Sequence, residues 1–250
     1  MKPVRTLLAR AIDYAGMFPP ASLSLEAAVA NYVAYLAMED AWALGRFVLS
    51  VTRLEEMKHL PVTPASEQTA LVVPAGYPVE AGMADVIEVK ASSRDEIRVP
   101  PGITAYFEVP AELIPAVAAA GGRAKVRTGG ATVPDSLTLA QFISECEKAG
   151  IPFKATAGLH HPFRGVNMHG FVNLLLAATL IWHGGSTDEA RDTLDETNPA
   201  AFRFEDSGVR WHSHHFFDGQ LAAARRNFAI GFGSCSFEEP LEDLRRLGLL

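Results

Sequence analysis

The sequence predicts a single domain over residues 1–250 that folds as a (β/α)8 barrel, a closed ring of eight parallel strands surrounded by helices. The chain has 250 residues, a usual length for this fold. Short and mostly apolar runs recur along it, as expected for parallel strands that are covered on both faces. A turn and a stretch with helical spacing follow most of these runs, and no linker or internal repeat divides the chain.

The predicted strands are short apolar runs that are separated by turn residues. In chain order they are Ala11–Tyr14, Phe47–Val51, Thr69–Val73, Asp85–Lys90, Thr104–Val109, Ala124–Arg127, Phe153–Thr156 and Ala229–Gly233. The third and fourth helices between these strands would be very short, so an open doubly wound sheet is the alternative arrangement.

Helix signals lie between several of the strands. Leu25–Ala37 shows helical spacing behind a serine, a residue type that is favoured as an N-cap. Thr138 and Gln141 have the spacing of a capping box, and their helix is expected to end at Gly150. Glu112–Ala120 is rich in alanine and is followed by two glycines, which indicates another short helix.

The connection between the seventh and eighth strands is unusually long. One helix would normally suffice, but residues 157–228 separate the two strands here. We predict extra helices over Val166–His183, Thr187–Leu194 and His212–Phe228, with Trp211–His215 as the entrance to the last one. This material would form a lid over the barrel or a contact in a homo-oligomer.

Composition narrows the class of protein. A net charge of −7 argues against a general nucleic-acid binder. Two cysteines, Cys146 and Cys235, provide no disulfide framework and indicate a reducing compartment. The N-terminus lacks signal-peptide features, and the longest apolar stretch, Phe171–Trp182, is too short to cross a bilayer. We therefore expect a cytoplasmic protein without a membrane or nucleic-acid partner.

Charged residues lie inside four of the predicted strands. Because side chains alternate between the faces of a strand, residues two apart share a face. The pairs on a common face are Glu88 with Lys90, Tyr106 with Glu108, Lys125 with Arg127, and Lys154 with Thr156. Their charges would meet at the carboxyl ends of the barrel strands, where this fold builds active sites. A plug of salt bridges without chemistry is the alternative interpretation. Four cations against two anions favour an anionic substrate.

The two inward lysines suggest covalent chemistry. An amine beside other cations has a lowered pKa, because a like charge disfavours its protonation. The neutral amine can then attack a carbonyl carbon and form a Schiff base. Lys125 and Lys154 lie on adjacent strands, and Glu88 or Glu108 would move protons. These features predict a class I aldolase or lyase that acts on a small anionic carbonyl compound without a cofactor.

Several motifs, taken in strand order, resemble the deoxyribose-phosphate aldolase family of class I aldolases. The motifs are Ile12-Asp13-Tyr14, Phe47–Val51, Ala84–Val89, Tyr106–Glu108, Lys125–Gly129, Lys154–Gly158 and Gly231–Ser236. The resemblance implies that Lys125 forms the Schiff base, that Lys154 perturbs it and that Glu88 shuttles protons. Two departures point to a substrate other than deoxyribose phosphate: Glu88 replaces the catalytic Asp of the family, and Arg127 replaces a small hydroxyl residue.

Glycine-rich loops after the sixth and eighth strands allow close approach of an anion to the backbone. With the neighbouring charges, they suggest that the anionic group of the substrate contacts Arg127, Lys90, Thr128, Gly129, Gly130, Gly158, His160, Gly233, Ser234 and Ser236. Glycines that only turn the chain from strand to helix are the alternative interpretation. Cys235, in the last of these loops, is expected to be a small packed residue.

Two other functions are compatible with the pattern. Glu88, Glu108, His160 and His161 could bind a divalent metal in an isomerase, lyase or hydrolase. The chain could also be a barrel that binds a small molecule without catalysis. A trapped carbonyl adduct, a stoichiometric metal, or neither would distinguish these classes.

Overall fold

A computed structural model describes residues 2–80, 82–131 and 133–250. Eight parallel strands close into a barrel in the order β1-β11-β7-β6-β5-β4-β3-β2, which confirms the predicted fold and excludes the open sheet. The barrel strands are β1 (Ile12–Tyr14), β2 (Leu44–Ser50), β3 (Thr69–Val73), β4 (Val86–Lys90), β5 (Thr104–Glu108), β6 (Arg123–Arg127), β7 (Phe153–Thr156) and β11 (Ala229–Ser234).

Helices cover the outside of the barrel and fill the long connection before its last strand. They are α1 (Lys2–Leu8), α2 (Leu25–Leu36), α3 (Leu54–Lys58), α4 (Ile114–Ala119), α5 (Ser136–Lys148), α6 (Phe171–Trp182), α7 (Thr187–Asp195), α8 (Asp218–Asn227) and α9 (Glu238–Arg246). Among the residues described, none of these helices has both the length and the hydropathy needed to cross a membrane.

The helix termini test the capping predictions. Ser24 caps α2, because its side chain accepts a hydrogen bond from the Ala27 N–H at 3.2 Å. The capping box predicted from Thr138 is wrong. The Asp135 carboxylate accepts from the Thr138 N–H at 2.7 Å, and α5 therefore starts three residues earlier than that box would allow.

The connection between β7 and β11 contains more than extra helices. Helices α6 and α7 were predicted, although α6 begins at Phe171 rather than at Val166. A three-stranded antiparallel sheet was not predicted; it consists of β8 (Phe202–Glu205), β9 (Gly208–Trp211) and β10 (His214–Phe217).

The helix predicted over His212–Phe228 is wrong in its first third, since α8 begins only at Asp218. Trp211–His215 belongs to a hairpin rather than to a helix entrance: Trp211 pairs with His214, and the turn between them includes His212 at a positive φ of 50°. In β10 the buried Phe216 lies between more exposed neighbours, a strand periodicity that helical spacing does not explain.

The interior of the barrel is divided into an apolar layer and a charged layer. Ala70, Val86 and Tyr106 form a small buried cluster of their own, separate from the main core between strands and helices. Glu88 follows Val86 by two residues and therefore points inward one layer nearer the carboxyl ends of the strands. The apolar layer thus closes the barrel beneath the charged residues.

Candidate active site

Three buried charged side chains form the centre of the site. Lys125 on β6 and Lys154 on β7 are aligned in register, as the sequence predicted. The Lys125 Nζ donates to Glu88 Oε2 at 2.9 Å, and Lys154 donates to Oε1 of the same carboxylate. All three residues are at most 6% exposed, so Glu88 compensates two buried ammonium groups at once.

Asp13 is a functional candidate that sequence reasoning missed. Its carboxylate accepts a hydrogen bond from Lys154 through Oδ2 and from the Arg46 backbone N–H through Oδ1, the latter at 2.6 Å. The feature of the sequence that could have identified Asp13 is that it is the single charged residue of the otherwise apolar strand β1. The three residues of β1 are too few to show an alternation that would place Asp13 inside the barrel.

Glu108 joins the charged layer to the surface. It lies 3.3 Å from the Lys125 Nζ and accepts two hydrogen bonds from Arg127, at 3.0 and 3.2 Å. This paired geometry is typical of arginine with a carboxylate. It aligns the Arg127 guanidinium at the rim of the barrel, where half of the side chain is exposed.

The predicted excess of positive charge is wrong. Asp13, Glu88 and Glu108 provide three carboxylates, which face three cations: Lys125, Lys154 and Arg127. Lys90 does not join them, because its side chain is exposed at the end of β4 and has no ion-pair partner among the described residues. The sequence prediction counted Lys90, whose side chain reaches solvent, and did not count Asp13, so it gave too many cations and too few anions.

The pKa values of the buried groups follow from this pairing. Burial alone would raise the pKa of Glu88, but the ammonium groups of Lys125 and Lys154 hold it well below its usual range. Burial alone would lower the pKa of Lys154, yet the carboxylates of Asp13 and Glu88 raise it above the ordinary lysine value. Lys154 is therefore a fixed cation at neutral pH, and Glu88 is a fixed anion.

A cavity of about 640 Å³ opens over this charged layer, a volume within the range of small-molecule sites. Lys125, Glu88 and Arg127 line it, whereas Lys154 does not. Its apolar wall comes from the segment after β1 and from inward residues of β2 and β3: Phe18, Pro19, Pro20, Val48 and Val72. Of the two buried lysines, Lys125 is the one that a ligand in this cavity would meet.

The residues expected to bind an anion divide into two groups. Arg127, Gly130, Gly158, His160 and Gly233 line the cavity. The others, which are Lys90, Thr128, Gly129, Ser234 and Ser236, are not part of its wall.

Thr128 and Gly129 contact the loop after β7 and so hold two loops together at the carboxyl end of the barrel. The Thr128 hydroxyl donates to the Ala157 carbonyl at 2.5 Å. Gly129 packs so closely on the next loop that a Cβ placed on it would lie 2.6 Å from the Gly158 Cα. Only a glycine permits this approach of the two loops, and the contact positions the adjacent cavity wall.

Two of the N–H groups that were expected to be free in the loop after β11 are engaged within the protein. The Ser236 N–H donates to the Ser234 hydroxyl at 3.3 Å, and the Glu239 N–H donates to the Ser236 hydroxyl at 3.1 Å. Two glutamates, Glu238 and Glu239, occupy the first turn of α9. Their charge already complements the helix dipole there, which disfavours a bound phosphate.

Cys235 belongs to the cavity rather than to the core, contrary to the expectation of a packed residue. Its Sγ lies 4.0 Å from the His160 Nδ1, which is 3.1 Å from Glu239 Oε2. Burial alone would raise the pKa of Cys235, but the interaction with His160 lowers it below its ordinary value. Hydrogen bonding to Cys235 and the charge of Glu239 raise the pKa of His160.

The metal site considered from the sequence is not assembled. Glu88 and Glu108 are both engaged by Lys125, whereas the adjacent histidines turn to α9. His160 contacts Glu239, and the His161 Nδ1 lies 2.5 Å from Asp243 Oδ2. Within the described part of the chain, no three His, Cys, Asp or Glu side chains are placed to hold an ion.

No protein-family model matches this sequence, and comparison with curated proteins finds none with significant similarity. The fold and the side-chain geometry are therefore what bears on function.

Proposed function

We propose that the protein is a Schiff-base-forming enzyme, a class I aldolase or related lyase, that acts on a small anionic carbonyl compound. The observation that carries this proposal is the position of Lys125. Its amine lines the cavity at the carboxyl ends of the barrel strands and lies between two carboxylates, Glu88 and Glu108. A nucleophile with proton acceptors in hydrogen-bond reach is the arrangement that covalent catalysis requires.

The reaction begins when Lys125 passes a proton to a neighbouring carboxylate. The lone pair of the free amine then attacks the substrate carbonyl carbon; the oxygen takes up a proton and the nitrogen loses one, which gives a neutral carbinolamine. Protonation of its hydroxyl and loss of water give an iminium ion. A base then takes the proton of the β-hydroxyl group, and that carbon leaves as an aldehyde. The electron pair of the broken carbon–carbon bond forms the double bond of an enamine as the iminium nitrogen takes back the C=N pair. Protonation of the enamine and hydrolysis release the second product and free Lys125. Glu108, 3.3 Å from the Lys125 Nζ, is the group that exchanges these protons, whereas Glu88, at 2.9 Å, stays ionised.

Electrostatics favour the iminium ion at this position. The protonated amine and the iminium nitrogen carry the same charge at the same place, so the carboxylates that stabilise one also stabilise the other. Lys154 remains protonated between Asp13 and Glu88 and keeps Glu88 oriented toward Lys125. The role of Lys154 is thus to position and to balance charge, whereas Lys125 reacts.

Arg127 is the group in the cavity wall that is suited to bind the anionic end of the substrate, because it is a cation exposed at the rim. Two of its nitrogens are held by Glu108, while Nη1 points toward Gly130, whose added Cβ would lie 4.0 Å from it. Both residues line the cavity. A carboxylate or phosphate at this rim would leave the carbonyl carbon of a short substrate near Lys125. The resemblance to deoxyribose-phosphate aldolases supports Lys125 as the reacting lysine, with a different substrate.

Borohydride trapping tests the proposal. The protein is incubated with a panel of 2-oxo acids and phosphorylated aldehydes, reduced, digested and analysed by mass spectrometry. We expect one adduct on Lys125 and its loss in Lys125→Arg, which keeps the charge but removes the nucleophile. Lys90→Arg, at an exposed lysine, is the matched control and should label like the wild type.

Labels confined to surface lysines, or turnover that survives Lys125→Arg, would refute the assignment. Saturable binding without an adduct for any compound would favour a binding barrel instead.

A further inference from the structure

The opposite end of the barrel contains a second cavity of about 610 Å³. It is bordered by α1 and the turn before β1, by the start of β2, by α8 and by the start of β11. All of these lie at the amino ends of the strands, so the candidate active site is on the other side of the apolar layer. Four arginines line it: Arg10, Arg46, Arg225 and Arg226.

These arginines are not neutralised inside the protein. Among the described residues, none of the four guanidinium groups has a carboxylate oxygen within 4.0 Å, and no Asp or Glu lines the cavity. Two carboxylates lie nearby but are engaged elsewhere. Asp218 accepts from Thr6, a residue of the cavity wall, at 2.6 Å and pairs with Lys2 at 3.1 Å. Asp13 is bound by Lys154 and by the Arg46 backbone N–H.

Two of these arginines, Arg46 and Arg225, are partly or wholly buried in ways that destabilise their positive charge. The Arg46 Nε is buried and has no hydrogen-bond partner among the residues that the structure describes, and such a group is costly. Arg225 is buried and donates to the carbonyls of Leu7, Ala9 and Ala229, which are neutral acceptors. Burial lowers the pKa of Arg225 to about 10. An anion in the cavity would compensate the positive charge of both side chains.

We infer that this cavity is an anion-binding site for a small molecule with at least two negative charges, such as a pyrophosphate or bisphosphate compound. The Arg46 side chain lines the cavity, and the exposed Arg10 and Arg226 would contact the ligand at its rim. The volume exceeds that of one inorganic phosphate, and the wall also has apolar atoms from Ala9, Ala222 and Ile230. The site is separate from Lys125, so the inference does not depend on the proposed function.

Pyrophosphate is the probe that tests this inference, titrated calorimetrically into the full-length protein at constant ionic strength. We expect saturable binding of one pyrophosphate per chain. Arg46→Met and Arg226→Met should each weaken it about tenfold or more, because a charge-assisted contact is lost. Arg226 is exposed, so its variant reports on binding even if Arg46→Met folds poorly.

Two control variants locate the binding. Arg203→Met removes an exposed arginine outside the cavity and should bind pyrophosphate like the wild type. Arg127→Met tests whether pyrophosphate binds at the other end of the barrel instead. Binding that does not saturate, or that only Arg127→Met abolishes, would overturn the inference. Self-association in sedimentation that Arg226→Met abolishes would also overturn it, since the arginines would then contact another copy of the chain.

Discussion

Lys125 and Lys154 are aligned on neighbouring strands, and each donates to a different oxygen of the single carboxylate of Glu88. Two ammonium groups in a buried layer repel each other unless an anion lies between them. Glu88 therefore supports the fold as well as any chemistry at Lys125. Its replacement separates these contributions.

Glu88→Gln keeps the shape of the side chain and removes its charge. We expect the free energy of unfolding in urea to fall by about 3–5 kcal/mol, because the variant leaves buried cations without their shared partner. The control is Glu55→Gln on α3, where the glutamate is 78% exposed. That change should remain within about 0.5 kcal/mol of the wild type. Equal stability of the two variants would contradict the assigned role.

The acid dependence of stability should follow from the same carboxylate. The pKa of Glu88 is lowered in the folded protein, so the unfolded chain takes up the proton first as pH falls. The stabilisation is complete above the unfolded-state pKa of about 4.3 and decreases as pH falls toward the folded-state pKa. Urea unfolding at several pH values should give a steep loss below about pH 4.3 for the wild type. The loss should be shallower for Glu88→Gln, and parallel curves would contradict the prediction.

Much of the barrel could be predicted because inward and outward side chains alternate clearly along its strands. The alternation of side chains in β4, β6 and β7 predicts that Glu88, Lys125 and Lys154 point into the barrel, as they do. The same alternation predicts that Lys90 points into the barrel, but Lys90 is exposed. It is the last residue of β4, and a long side chain at that position can reach solvent.

Other features depend on contacts between distant parts of the chain. Asp13 becomes part of the site only because β1 closes the barrel between β2 and β11. The His160–Cys235 contact likewise joins the loops after β7 and β11. The strands β8–β10 contain only four residues each and include charged positions, so their period could not be distinguished from that of a loop or a helix end.

Cys235 should be the more reactive of the two cysteines. Its pKa is lowered by His160 despite partial burial, whereas burial raises the pKa of Cys146 in the core. Iodoacetamide labelling followed by mass spectrometry should modify Cys235 with a midpoint below the ordinary thiol pKa of about 8.5. His160→Ala should move this midpoint upward. Cys146 is the internal control and should remain unlabelled in the folded protein, and labelling of Cys146 at the rate of Cys235 would contradict the prediction.

The contact between Gly129 and Gly158 predicts how sensitive the mouth of the barrel is to one methyl group. In Gly129→Ala the new Cβ would lie 2.6 Å from the Gly158 Cα, a backbone atom that cannot rotate away. The two loops must then separate, which moves the adjacent Arg127 and Gly158 in the cavity wall. We expect a loss of about 1–3 kcal/mol in unfolding free energy, as for overpacked sites. Borohydride labelling of Lys125 should slow as well.

Gly219→Ala is the matched control for this change. Gly219 lies in the first turn of α8 with nothing within 4 Å of an added Cβ. Alanine there should leave labelling unchanged and stabilise the protein by up to about 1 kcal/mol, because glycine is the poorer helix former. If Gly129→Ala matched Gly219→Ala in both stability and labelling, the two loops would accommodate the added methyl group without moving. Gly129 would then have no part in positioning the cavity wall.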